Sequence, residues 1–239
     1  MSVLTRHELK EQLEHDRFKD AVQTAVTYTV SHRQNVIRLG VIAAVVLVIA
    51  GALIWYMHVR KLQRQHDLQN ALELVEAQVG GPATDIGKVF PTQAVKDAAV
   101  LKAFKDVARK DGGSTEGMVA EYYAGSLEAE TGGDVKDAEA RLRKVADDGG
   151  AFAGLAKIAL ARIEYFNGDQ SGAISLLHGL IDKPSDLVSK AEAQLVLAQL
   201  LSTNEPKQAK SLLSSIQNPT QSPDIARAIQ QLETQLNVH

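Results

Sequence analysis

The sequence predicts an all-α protein with a single transmembrane helix, and three features lead to this fold class. The first is an uncharged run of 19 residues at positions 39–57. The second is a series of helix-like segments, separated by short Gly, Pro or Asn signals, that fills the chain after this run. The third is that no stretch convincingly alternates apolar residues with polar ones in the manner of a β-strand.

The uncharged run is long enough to span a membrane. A helix of 19 residues is about 28 Å long, close to the ~30 Å hydrocarbon core of a bilayer. Trp55 and Tyr56 close its C-terminal end, where amphipathic rings suit the headgroup boundary. Because the run begins behind a charged tail and continues past the small residues at 50–52, we predict an uncleaved anchor rather than a signal peptide.

The anchor divides the chain into four predicted parts. Residues 1–38 form a charged tail, residues 39–57 the transmembrane helix, residues 58–79 a juxtamembrane helix that extends from the span, and residues 80–239 a helical domain. The tail matches a capping box at Thr5, which predicts an amphipathic helix, or two short ones, over 6–30. A charged solubilising tail with marginal helicity is the alternative.

Composition excludes several classes of function. Residues 1–61 carry a net charge of +3 and residues 62–239 a net charge of −6. This mildly acidic balance, without a basic stripe, argues against nucleic acid as a partner. The chain contains no Cys, which excludes disulfides, thiolate zinc sites and cysteine nucleophiles.

The residues around the anchor leave its orientation open. Three basic residues lie within about 20 residues on each side, so the positive-inside bias favours neither direction. They are Lys19, Arg33 and Arg38 before the span, and Arg60, Lys61 and Arg64 after it. Within the span, one face carries small residues that allow helices to approach closely in lipid. This face is formed by Gly40, Ala44, Leu47 and Gly51.

The domain after the anchor consists of predicted helices alone. Their approximate bounds are 92–110, 115–131, 135–147, 151–167, 170–181, 187–203, 205–216 and 223–237. Between the first two, Gly112-Gly113-Ser114-Thr115 is typical of a helix stop followed by an N-cap. It lacks the Lys of a phosphate-binding loop.

These helices repeat along the chain with a period near 36 residues. One motif recurs at a spacing of 37: Tyr123-Ala124, Leu160-Ala161 and Leu197-Ala198. A second motif, Ala-x-x-x-Leu, recurs at spacings of 35 and 36: Ala138 with Leu142, Ala173 with Leu177, and Ala209 with Leu213. Two antiparallel helices come close only where a side chain is small, and the Leu one turn later fills the adjacent gap. Each hairpin would leave an apolar face for its neighbour to cover, so we expect the hairpins to stack.

The repeats resemble tetratricopeptide repeats. Residues 151–184 match best, with Leu160-Ala161, the turn Asn167-Gly168-Asp169, then Ala173, Leu177 and Pro184. The aromatic residue of the family's first helix is displaced here to Tyr165. The resemblance implies a right-handed, tetratricopeptide-like stack of helical hairpins over residues 80–239, with a poorer pair at 64–110.

The layout beyond residue 30 is similar to the ancillary subunit family of the bacterial Sec translocon. The similarity rests on His32-Arg33-Gln34-Asn35, a Gly-bearing span that ends in Trp55-Tyr56, a helix leaving the membrane, and degenerate repeats. It implies a single-pass protein of the bacterial inner membrane with a cytoplasmic N-terminus and a periplasmic repeat domain. The role implied is chaperone-like, with translocon components or exported polypeptides as partners.

We find no pattern in the sequence that predicts enzyme chemistry, a cofactor or a small-molecule substrate. His58 and His66, like His7 and His15, are spaced eight apart rather than four, so we predict no metal site. The acidic residues that could form a catalytic pair are instead expected to be solvated: Glu128, Glu130, Asp147 and Asp148. We therefore predict no catalytic, cofactor-binding or metal-binding residues.

The leading hypothesis is a membrane-anchored scaffold whose concave face binds polypeptide. That face would be lined by the first helices of the hairpins, at 115–131, 151–167 and 187–203. Lys157 and Arg162 are candidates for gripping a C-terminal carboxylate, with a solvated surface as the alternative. Two further hypotheses remain open: a cytosolic-facing adaptor, and an accessory subunit of an envelope or division complex. The sequence leaves the oligomeric state undetermined.

Overall fold

A computed structural model describes residues 33–80, 88–216 and 222–238, and the predicted tail helix at 6–30 lies outside them. The described residues are almost entirely helical, as predicted. They form nine α-helices and one short parallel pair of strands. The helices are α1 (Arg33–Val75), α2 (Gln93–Asp111), α3 (Thr115–Glu130), α4 (Val135–Asp148), α5 (Ala153–Phe166), α6 (Gln170–Asp182), α7 (Lys190–Leu201), α8 (Pro206–Ser215) and α9 (Pro223–Val238). The strands are β1 (Gln78–Val79) and β2 (Val89–Phe90).

Helix α1 is continuous over 43 residues. Of the described helices it alone is long and apolar enough to cross a membrane, over Ile37–Val75, judged by length and composition. Its large apolar side chains between Ile37 and Leu62, including Leu47 and Trp55, are exposed in the isolated chain, whereas Leu68, Leu72 and Leu74 pack against the core of the domain that follows. The chain divides into two compact units within this helix, Met1–Lys61 and Leu62–His239.

The helix predicted over residues 58–79 ends earlier than expected. We expected it to reach Val79, but α1 stops at Val75 and the chain then forms β1. The Gln78 amide donates to the Lys88 carbonyl at 3.2 Å, and the Gly80 amide donates to the Phe90 carbonyl at 2.9 Å. These hydrogen bonds, to a segment about ten residues away, replace the bonds that a continued helix would make. The local helical pattern of the sequence therefore did not reveal the end of α1.

The other helix bounds agree with the predicted ones to within three residues, and five of these eight helices begin at a side-chain cap. The Ser114 hydroxyl accepts a hydrogen bond from the Gly117 amide at 3.1 Å, which confirms the predicted N-cap of α3. The largest difference is at α7, which starts at Lys190 rather than at 187. There Val188 forms an isolated bridge with Ser185, and the Ser189 hydroxyl caps the helix.

Two turns between paired helices end the first helix in the same way. Gly132 and Gly168 adopt left-handed conformations, with φ of 71° and 98°. In each case the following amide donates to a carbonyl five residues back, that of Glu128 or Glu164, at 2.9 and 2.8 Å. This is the Schellman arrangement, which satisfies carbonyls left open at a helix end. The third turn, at 203–205, lacks Gly and closes with a bond to the Leu201 carbonyl.

Consecutive helices from α2 to α8 pack against one another, and α9 packs on α7 and α8. Alternate helices also meet, because α5 contacts both α3 and α7. The alanines of the repeated motifs lie at the centre of this packing. All six are 0% exposed: Ala124, Ala138, Ala161, Ala173, Ala198 and Ala209. Their partners Leu142, Leu177 and Leu213 are buried as well, so both motifs belong to the apolar core.

Candidate functional site

A groove of about 500 Å³ lies among helices α3, α5 and α7. Helix α5 forms its floor, and the side chains concerned recur at intervals of three and four residues along one helical face. They are Leu155, Ile158, Ala159, Arg162, Ile163 and Phe166. This face extends for about 16 Å at 1.5 Å per residue. We refer to this cavity as the α5 groove.

The walls of the α5 groove come from the neighbouring helices. Helix α3 contributes Tyr122, Ser126, Ala129 and Glu130, and helix α7 contributes Glu192 and Val196. The lining is thus mainly apolar, with a few polar groups, and the volume falls in the usual range for ligand sites. Phe166 is 79% exposed, which is unusual for a large apolar ring and leaves its face open to a partner.

The wall residue Tyr122 is held by other aromatic rings. Its ring lies 5.4 Å from that of Tyr123 and 5.2 Å from that of Phe152, measured between centroids. Burial raises the pKa of the Tyr122 phenol above its ordinary value. The side chain therefore stays uncharged and presents an apolar ring with one hydroxyl.

Three charged side chains line the α5 groove, two acidic and one basic. They are Glu130, Glu192 and Arg162. Within residues 33–80, 88–216 and 222–238, none of the three takes part in an ion pair. The groove therefore carries a net charge of −1 that other side chains of this part of the chain do not neutralise.

The charges between α2, α3 and α4 behave differently, because they neutralise one another. Arg141 donates to Glu121 at 2.6 Å, and Lys144 donates to the other oxygen of the same carboxylate at 2.9 Å. Lys105 donates to both Glu128 and Asp137 at 2.8 Å. We refer to these six residues as the charge network.

The charge network corrects one prediction from the sequence. Glu128 was expected to be solvated, but it is only 5% exposed and is paired with Lys105. Asp147 and Asp148 are exposed, as expected. Hydrogen bonds from Lys105, with a further contribution from Arg141, hold the pKa of Asp137 down at about 2. Asp137 therefore remains ionised at neutral pH.

Of the two predicted grip residues, the structure brings one into the groove. Arg162 lines it, whereas Lys157 is half-buried and lies outside the lining. Sequence reasoning missed Tyr122, Glu192 and Phe166. The spacing of apolar residues along α5 indicates that Phe166 shares a face with Ile163, but Glu192 joins the groove only through the packing of α7 on α5.

The remaining candidates lie elsewhere. Gly40, Ala44 and Gly51 are exposed along α1, and a Cβ at either glycine would meet no atom within 4 Å. Among the described residues no group of three or more His, Asp or Glu side chains is arranged to hold a metal. Comparison with protein-family models, with curated proteins and with solved structures finds no match to this chain.

Proposed function

We propose that the protein is a membrane-anchored helical-repeat scaffold that binds polypeptide segments in the α5 groove. The observation that carries this proposal is the groove itself. Three helices that are not consecutive in the chain jointly form an apolar trough with charged groups that lack ion-pair partners among the described residues. A groove of this kind suits side chains and main chain of a peptide, whereas the charged groups of the charge network are already paired with one another.

Two features support a tetratricopeptide-like stack beneath this groove. The six motif alanines are fully buried, and each is a point where two helices can approach closely. The contacts of α5 with α3 and with α7 join the first helices of neighbouring hairpins. We therefore propose that the hairpins stack and that the first helices face the ligand.

The proposed location is the bacterial inner membrane, with a cytoplasmic N-terminus and a periplasmic repeat domain. The exposed apolar side chains of α1 support membrane insertion. The resemblance of the anchor and repeats to ancillary translocon subunits supports this orientation and a chaperone-like role near exported polypeptides. In this role the protein holds its partners and performs no reaction.

Photo-crosslinking in intact cells tests this function. A photoreactive residue placed at Ile163, in the groove, should capture translocon components or newly exported polypeptides, identified by mass spectrometry. The same residue placed at Leu187, which lies outside the groove, is the control. Capture of cytosolic proteins alone from position 163 would contradict the proposal.

Protease treatment of spheroplasts tests the orientation separately. Digestion of the repeat domain in intact spheroplasts is the expected result. Protection until the cells are lysed would place the domain in the cytosol and favour the adaptor hypothesis.

Alkaline washing of membrane vesicles tests the anchor itself. Release of the protein from the vesicles by this washing would contradict a transmembrane anchor.

A further inference from the structure

We infer that the α5 groove selects polypeptide segments in which a bulky apolar side chain is flanked by basic residues. This inference rests on the proposed function and specifies the chemistry of the ligand. Two independent observations lead to it: the apolar floor with its exposed ring, and the excess of acidic groups that have no ion-pair partner among the described residues.

The floor of the groove requires an apolar partner group. Leu155, Ala159 and Ile163 recur every four residues along α5 and are half-buried. Phe166 extends this face with a ring that is largely open to water. Covering such a surface with another apolar side chain is favourable, by roughly 25 cal/mol for each Å² removed from water. A polar side chain at the same place would lose its own hydration without gaining a matching partner.

The walls favour basic neighbours on either side of that apolar group. Glu130 comes from the end of α3 and Glu192 from the start of α7, so the two carboxylates stand on opposite walls. Three of the four buried acids of the same domain are committed elsewhere, since Glu121, Glu128 and Glu164 pair with Lys or Arg. The fourth, Asp111, lies outside the groove lining. Within the α5 groove, the two wall carboxylates are therefore available for Lys or Arg of a partner.

The wider charge of the domain acts in the same direction. Residues 62–239 carry a net charge of −6, which attracts basic segments and repels acidic ones at low ionic strength. Arg162, the single basic group in the lining of the α5 groove, has several N–H donors and no acceptor. It suits main-chain carbonyls of an extended segment, and these are present whatever the side chains.

The test measures binding of three fluorescent peptides of equal length to the full chain in neutral detergent micelles. The first has Phe flanked by Lys, the second has Phe flanked by Glu, and the third has Ser flanked by Lys. Anisotropy with empty micelles gives the background. We expect the first peptide to bind about tenfold more tightly than either of the others, and the advantage over the second to shrink in high salt.

Variants locate the binding site. The pair Glu130→Gln and Glu192→Gln should remove most of the preference for Lys over Glu. The control pair, Glu205→Gln and Glu233→Gln, changes exposed acids outside the groove and should leave the preference intact. Phe166→Ala should weaken binding of both Phe peptides about fivefold, whereas Leu187→Ala should not. All these residues are exposed or half-buried, and circular dichroism verifies that the variants fold.

The outcomes separate the inference from the proposed function. Equal binding of both Phe peptides overturns the basic preference but leaves peptide binding in the groove standing. Failure of all three peptides to bind overturns both. Binding of wild-type strength in the Phe166→Ala and double Glu→Gln variants would show that the α5 groove is the wrong site.

Discussion

Arg141 on α4 donates to the carboxylate of Glu121 on α3 at 2.6 Å, and Glu121 is only 6% exposed. The pair joins the two helices of one hairpin at a point that water hardly reaches. Lys144 completes the neutralisation of Glu121 from the next turn of α4. The contact is costly to break, because the loss of one partner leaves a buried charge only partly compensated.

Replacing Arg141 with Met should therefore destabilise the domain strongly. We expect the free energy of unfolding to fall by roughly 3 kcal/mol. Urea unfolding of the full chain in micelles, followed by far-ultraviolet circular dichroism, measures the change. Arg227→Met is the control, because the ion pair of Arg227 with Asp224 is exposed and its loss should cost less than about 0.5 kcal/mol. Equal losses in both variants would contradict a role for burial.

The Leu of the second repeat motif should be essential to the core. Leu177 is fully buried, so Leu177→Ala removes apolar contacts and leaves a cavity. We expect a loss of about 3 kcal/mol in the free energy of unfolding. Leu187→Ala, at an exposed position, should cost less than about 1 kcal/mol in the same urea titration. A loss at Leu177 as small as that at Leu187 would contradict the burial of this side chain of α6 in the core.

The same substitution should have opposite effects at two glycines. Gly168 has a φ of 98°, which an L-residue rarely adopts, so Gly168→Ala should cost about 1–2 kcal/mol. Gly179 lies within α6 with open space where a Cβ would stand. There Gly179→Ala should raise stability by about 0.5–1 kcal/mol, because Ala favours the helix. Thermal unfolding of the two variants gives the sign of each stability change. A Gly168→Ala variant more stable than the wild type would contradict the Schellman turn.

Stability should depend on Asp137 at acidic pH. Its pKa falls from an ordinary 3.8 to about 2 in the folded protein, so the folded state binds this proton less readily than the unfolded state. Its stabilising contribution is complete above about pH 4 and is lost as the pH falls towards 2. Melting temperatures of wild type and Asp137→Asn should therefore converge over this window. A melting-temperature difference between the two proteins that stays constant from about pH 5 down to about pH 2 would contradict the contribution of Asp137.

Much of the helical layout could be predicted because its signals are local. Ser114 and Gly168 mark a helix start and a helix end through bonds to residues within five positions. The motif alanines were identified by their spacing, and the structure places all of them in the core. The end of α1 could not be predicted in this way, because β1 depends on a partner strand that lies further along the chain.

The pairing of charges was beyond sequence reasoning for the same physical reason. Glu128 looks like any surface acid beside Glu130, yet one is buried against Lys105 and the other lines the α5 groove. Lys105 is 23 residues away from Glu128. No local pattern separates these two neighbours, because the distinction depends on which side of α3 the other helices cover.

The amino-acid sequence by itself determined the helical class, the apolar anchor-like segment, most helix ends and the buried repeat positions. These follow from short-range hydrogen bonding and from the periodicity of apolar side chains. Only the tertiary structure decided which charges neutralise one another and which remain available in the α5 groove. Electrostatic pairing depends on distances between helices that are remote in sequence, and the packing of α3, α5 and α7 sets those distances.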